Sequence, residues 1–204
     1  MAGRPRGIED EVILRAAADL IGQLGLARLT LAGVAQQVGL VPGTLVQRFG
    51  SKRGLLLALA GQAAKDADTL LGQVRDGHAT ALGALEALIL APWAVMTTPE
   101  TYANHLAFLC VDLTDPEFHP HALAVHEAQG RAVTAELTRA VEAGELRAGT
   151  DVPTLARTVQ AVAAGAGLMW ALDREGTLPD RTRRELRSVL APYLPAGPGG
   201  PAES

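Results

Sequence analysis

The sequence predicts an all-α protein of about nine helices, a short helical head followed by a larger helical body. Three observations predict it. Alternating β-branched patterns never last more than a few residues, and only 3% of the chain is aromatic, so strand signals are nearly missing. Apolar residues recur instead at helical spacing along most of the 204 residues. Glycine and proline then fall at the points where each apolar stripe stops.

From Glu9, the residues Ile13, Ala17, Leu20, Ile21 and Leu24 share one helical face, and Gly25 is placed to end the helix with a left-handed cap. Thr30 is positioned as the N-cap of a second helix whose Leu31, Val34, Ala35 and Val38 face inward. Gly39 stops it. Pro42 suits the first position of a third, short helix in which Leu45 and Phe49 lie four apart. Gly50 ends that helix, and Ser51 caps a long one from Lys52 to about Arg75. Five further helices are predicted at roughly 79–96, 100–113, 117–143, 152–174 and 180–193. Their breakers are Gly77-His78, Thr98-Pro99, Asp115-Pro116, Gly144 to Pro153, and Gly176 to Pro179. The expected domains are residues 1–50, residues 51–195, and a frayed Pro/Gly-rich tail at 196–204.

With 48% hydrophobic residues, the chain can bury a substantial core. Glu86 and Gln160 interrupt the longest apolar segments, and the N-terminus lacks the pattern of a secretory signal, so a cytoplasmic protein without a membrane partner is expected. A single cysteine, Cys110, cannot form an internal disulfide and is expected as a small core residue. The net charge is −4 but unevenly spread. Residues 1–53 carry seven bases against four acids, while the rest of the chain is acidic by seven charges. A basic head on an acidic body points to a polyanion at the head.

Two helices joined by a turn at Gly39, the second helix polar on its outer side, have the form of a helix-turn-helix. With Leu45 and Phe49 turned inward, Pro42, Gly43, Thr44, Gln47 and Arg48 point outward. Arginine can fork onto a guanine edge, glutamine can pair with adenine, threonine can reach a methyl or phosphate, and Gly43 permits close backbone approach. Lys52 and Arg53 sit in the first turn of the next helix, where the dipole disfavours cations, and a nearby phosphate would account for them. Thr30 joins this contact set, and Arg4 and Arg6 are candidates for a minor-groove arm.

Over these residues the chain resembles the TetR family of bacterial transcriptional repressors. The segment ILRAAADLIGQLGLARLTLAGVAQQVGLVPGTLVQRFGSKRGLL follows that family's helix 1 "AA..L....G", its "LTL..VA...G", its "GTL...F" and its "SK..LL". Val46 stands where the family usually has tyrosine, Arg48 where histidine is common, and Val41 in place of a polar cap. The later "GEL" at 144–146 and "LA...QA..AG" from Leu155 are similar to the family's body. The resemblance implies an N-terminal three-helix DNA-binding domain followed by a C-terminal ligand-binding and dimerisation domain. It also implies a homodimer on a double-stranded palindromic operator and a small-molecule effector held among helices 4 to 8. The scarce large aromatics concentrate between 93 and 118, so Trp93, Met96, Tyr102, His105, Phe108, Leu109 and Phe118, with Trp170, are the expected lining of a mostly apolar ligand site. Ala161, Ala164, Gly165, Leu168 and Leu172 are the expected dimer face, because small residues let helices approach closely.

Other chemistry finds less support. Only Ser51, Ser188 and Ser204 could serve as a serine nucleophile, and none lies in a Gly-x-Ser-x-Gly elbow. The Gly-Ala-Gly at 165–167 lacks a preceding strand, and Gly-Ser-Lys-Arg is no phosphate loop. The rival reading is an all-helical enzyme or metal-binding protein that uses His105, His119, His121 and His126 with Asp112, Asp115 and Glu117. Those histidines lack the paired spacing of ligands on one helical face. The expectation is therefore a non-enzymatic regulator with no metal or cofactor.

Overall fold

The computed structural model describes residues 8–195, in which nine α-helices and three single-turn 3₁₀ segments occur. The helices are α1 Asp10–Leu24, α2 Leu31–Gln37, α3 Pro42–Phe49, α4 Lys52–Asp76, α5 Ala81–Leu90, α6 Pro99–Thr114, α7 His119–Glu142, α8 Val152–Asp173 and α9 Leu178–Leu190. No strand occurs among the described residues. The chain divides into two compact units, the first comprising the residues up to Asp66 with Glu100–Val125, the second Ala67–Pro99 with the residues from His126 onward.

The first unit extends beyond the expected head of residues 1–50, for a reason visible in its core. Ile13, Leu20 and Ile21 of α1, Val34 and Ala35 of α2, and Leu45 of α3 share one apolar cluster with Leu55, Leu56 and Ala60 of α4 and with Phe118. A three-helix head this small buries little surface alone, so the first turns of α4 complete its core. Gly25 ends α1 with φ 77° and ψ 159°, a backbone conformation open to glycine rather than the left-handed helical cap expected. A Cβ there would also stand 2.7 Å from Asn104 Oδ1. Thr30 caps α2, its hydroxyl accepting from Gly33 N at 3.0 Å, and Ser51 Oγ accepts from Gly54 N at 3.1 Å.

In the second unit, α5, α7, α8 and α9 enclose a cluster that includes Leu85, Ile89, Val133, Leu137, Leu155, Val159, Leu186 and Leu190. The residues of the "GEL" motif have distinct tasks here. Gly144 turns the chain at φ 71°, Leu146 is buried, and the Glu145 carboxylate accepts the N–H groups of Ala81 and Leu82 at 3.0 and 2.9 Å. That carboxylate satisfies orphan donors at the start of α5 and opposes its dipole. α5 stops at Leu90, short of the expected residue 96, because Pro92 supplies no N–H and forces a 3₁₀ turn over Ala91–Trp93. Pro192 does the same after α9. Cys110 is exposed on α6, against the expectation of a core position.

α8 is long and apolar enough to cross a bilayer by length and composition, with mean hydropathy 1.2. Leu155, Ala156, Val159, Ala166, Gly167 and Trp170 form its buried side. Its other side is also apolar, and exposed.

Candidate nucleic-acid interface

The first unit displays α3 on a surface. Leu45 is fully buried and Phe49 half-buried against the core, so the helix is held by one edge. Pro42, Gly43, Val46, Gln47 and Arg48 are exposed, with Thr44 half-buried beside them. Pro42 opens the helix, Val41 provides no side-chain cap, and Thr44 N donates to Val41 O at 3.0 Å. A short helix clear of neighbours on one side has the dimensions to enter a major groove.

The cations around it are engaged within the protein. Arg48 donates to Ile8 O and, at 3.0 Å, to the Asp10 carboxylate. Lys52 donates from Nζ to Leu26 O. Arg53 donates to both oxygens of Asp115, at 2.9 and 2.7 Å, meets Glu117 at 2.6 Å, and lies 5.1 Å from the Phe118 ring centroid. The first turn of α4 therefore tolerates two cations without a phosphate, because carbonyl and carboxylate oxygens offset the dipole. The two arginine pairs are partly exposed, so each contributes about 0.2–1 kcal/mol and can exchange for a phosphate at modest cost. Arg4 and Arg6 lie outside the described residues. Sequence reasoning missed Asp10, the Leu26 carbonyl and Glu117 as partners of these cations, since contacts separated by tens of residues leave no local signal.

The expected ligand residues are divided between the two units. Tyr102, His105, Phe108, Leu109 and Phe118 belong to the first unit, and Trp93, Met96 and Trp170 to the second. Phe118 is buried in the first core, edge-on to Phe108 with ring centroids 6.3 Å apart. Tyr102 is buried, which pushes its phenol upward in pKa, and Leu109 is exposed. His105 packs where a Cβ on Gly22 of α1 would stand 2.9 Å from its Nε2, beside the Asn104 amide that donates to Gly22 O at 2.8 Å. Burial lowers the His105 pKa, partly opposed by Asp19. Trp93 and Met96 are half-buried, and Trp170 is buried with its Nε1 donating to Gly176 O.

A different set lines a cavity of about 210 Å³ in the second unit: Gly72 of α4, Leu88 of α5, and Ala128, Ala132, Ala135 and Glu136 of α7, together with the Asp68–Arg131 ion pair. Glu136 is only 1% exposed, and its carboxylate accepts from Arg139 at 2.6 Å. The lining thus combines leucine, alanine and glycine with one buried carboxylate and an ion pair. Composition alone could not have found Glu136, which reads as one charge on a long helix.

The histidines of the rival reading are dispersed. His121 lies against Gly61 of α4, while His119 and His126 are exposed, and no group of three metal-ligating side chains forms among the described residues. On α8, by contrast, Ala161, Ala164, Gly165, Leu168 and Leu172 all occupy the exposed side, joined by Met169.

Two family models match this arrangement, that of the bacterial regulatory proteins of the tetR family over residues 13–59 and that of the tetracyclin repressor-like C-terminal domain over residues 110–186, together more than half of the chain. The chain belongs to the TetR family. It is a TetR-family transcription regulator with an N-terminal helix-turn-helix and a helical C-terminal domain. Solved TetR-type structures share the fold. A candidate transcriptional regulator from Saccharomonospora viridis, in complex with choline, is 18% identical, with TM-score 0.72 and coverage of 91% of this chain and 96% of that one. SmeT, the repressor of the Stenotrophomonas maltophilia multidrug efflux pump SmeDEF, is 22% identical, with TM-score 0.65 and coverage of 97% and 96%. FadR from Bacillus subtilis, in complex with stearoyl-CoA, is 17% identical, with TM-score 0.64 and coverage of 90% and 98%. No curated protein matches the sequence.

Proposed function

We propose that this TetR-family chain is a cytoplasmic, ligand-responsive repressor that binds a palindromic operator as a homodimer and lets go when a small molecule fills its body. The observation that carries the reading is α3, buried along Leu45 and open along Pro42, Gly43, Val46 and Gln47. Bases are read from that stripe, and Thr30, Thr44, Arg48 and Lys52 hold the flanking backbone. Arg4 and Arg6 add minor-groove contacts. The exposed small and apolar residues of α8 pack against their symmetry mates to form the dimer, which sets the half-site spacing.

SmeT is a repressor, and choline and stearoyl-CoA fill structural relatives of very different preference, so the neighbours support effector binding without naming the effector. The 210 Å³ cavity favours a compact, mostly apolar molecule with a donor group for Glu136. The aromatic set from Trp93 to Phe118, with Trp170, is the second candidate lining for the effector. Selection of duplexes from a random pool by the purified full chain tests the reading. The expected result is one enriched palindrome bound by a dimer on sizing; a pool left without enrichment in low salt overturns it.

A further inference from the structure

We propose that Val46, assisted by Val41, selects operators that carry thymine methyl groups in the major groove; the inference rests on α3 being the recognition helix. On the two-turn α3, Leu45 is fully buried, yet Val46 is 51% exposed and Val41 at the N-cap is 69% exposed. No core contact explains apolar β-branched side chains there, and valine is an indifferent helix former. The cation nearest the stripe, Arg48, is held by Ile8 O and Asp10, and Thr44 is half-buried. Gln47 is the exposed amide of the stripe, and apart from it and the tethered Arg48 the exposed residues are valine, proline and glycine.

Of the groups that base pairs present in the major groove, all are hydrogen-bond donors or acceptors except the C5-methyl of thymine. An apolar stripe desolvates the polar edges without compensation and is matched only by that methyl. Gly43 strengthens the match, because nothing lies within 4 Å of where its Cβ would be, so the helix backbone can come close to the bases and carry Val46 into contact. The thymine methyl then exchanges water for the valine isopropyl group. The four-base code is thereby read in part by shape and apolarity, with Gln47 supplying a hydrogen-bonded position alongside.

The test uses the full chain and the palindrome enriched from a random pool. Each thymine is replaced singly by deoxyuridine, which deletes the methyl and leaves every base-pair hydrogen bond in place. Affinity is expected to fall about four-fold at one or two thymines per half-site, the value for one CH₂-sized group removed from burial, and roughly fifteen-fold when both half-sites are changed. Val46→Ala should bind the thymine duplex about as weakly as the wild type binds the uracil duplex and should lose the sensitivity. Its melting temperature should be unchanged, since the side chain is exposed. Silent uracil at every position, or sensitivity retained in both Val46→Ala and Val41→Ala, refutes the inference while leaving DNA recognition intact. Failure to enrich any duplex refutes both.

Discussion

Three side-chain environments make testable statements at the scale of the residue. Arg48 is divided between the protein and any operator: its guanidinium meets Asp10 at 3.0 Å, a carboxylate that DNA must displace or repel. Asp10→Asn should therefore tighten operator binding by up to about five-fold, the equivalent of a pair worth about 0.2–1 kcal/mol, and the gain should shrink at high salt in a fluorescence titration. Gly54 lies inside α4, where alanine normally stabilises by up to about 1 kcal/mol. Here its Cβ would stand 2.0 Å from Phe49 O, so the backbone at the α3–α4 junction must move. Gly54→Ala should lower the melting temperature and weaken DNA binding, whereas Gly72→Ala, with no neighbour near its Cβ, should not lower stability. Asp112 has a buried Oδ1 without a partner, and burial raises its pKa from 3.8 to about 6. The folded state thus holds that proton more tightly than the unfolded chain. Its stabilising contribution is complete below pH 4 and is lost as pH rises through 6, at up to ~3 kcal/mol for a shift of this size. Asp112→Asn should accordingly melt higher than the wild type at pH 7.5, and the two curves should converge by pH 4.

At the scale of the element, α8 is apolar on two sides, and only one is occupied within the chain. Leu168, Met169 and Leu172 are 44, 46 and 70% exposed, and Ala161, Ala164 and Gly165 leave a shallow strip between them. An exposed apolar face of this extent is the basis for proposing the dimer interface here. Gly165→Leu, which has open space in the isolated chain, should fold but elute as a monomer and lose operator affinity by about 10²–10⁴-fold as the two heads cease to act together. A dimer with full affinity would place the interface elsewhere. The elements themselves were largely legible in the sequence. Thr30, Gly39, Pro42, Gly50 and Ser51 bound α2 and α3 by local chemistry, and the structure uses each as a cap, turn or first position. α5 was overextended because the apolar run past Leu90 outweighed Pro92 in the reading. The cavity of the second unit was not legible. Its carboxylate and its Ala-rich wall come together only through α4, α5 and α7, while Phe108 and Phe118 belong to the core of the first unit.

For the whole molecule, the proposed regulation is a linkage between two ligands. α4 carries Lys52 and Arg53 at its first turn, and its later residues Asp68 and Gly72 line the cavity of the second unit. An effector releases DNA only if it binds the DNA-incompetent arrangement more tightly. By reciprocity the operator must then weaken the effector by the same factor, typically about 5- to 150-fold. A thermal-shift panel of small amines, alcohols and aromatic molecules supplies the probe. Glu136→Gln preserves the shape of the cavity wall but removes its charge, and it should weaken a cationic or strongly donating effector about ten-fold or more while leaving effector-free operator affinity within two-fold. In the wild type, the ratio of effector affinities with and without operator should equal the ratio of operator affinities with and without effector. Two equal ratios of one would mean that the cavity binds without regulating. A large ratio that survives Glu136→Gln unchanged, with effector affinity also unchanged, would move the regulatory site away from α7.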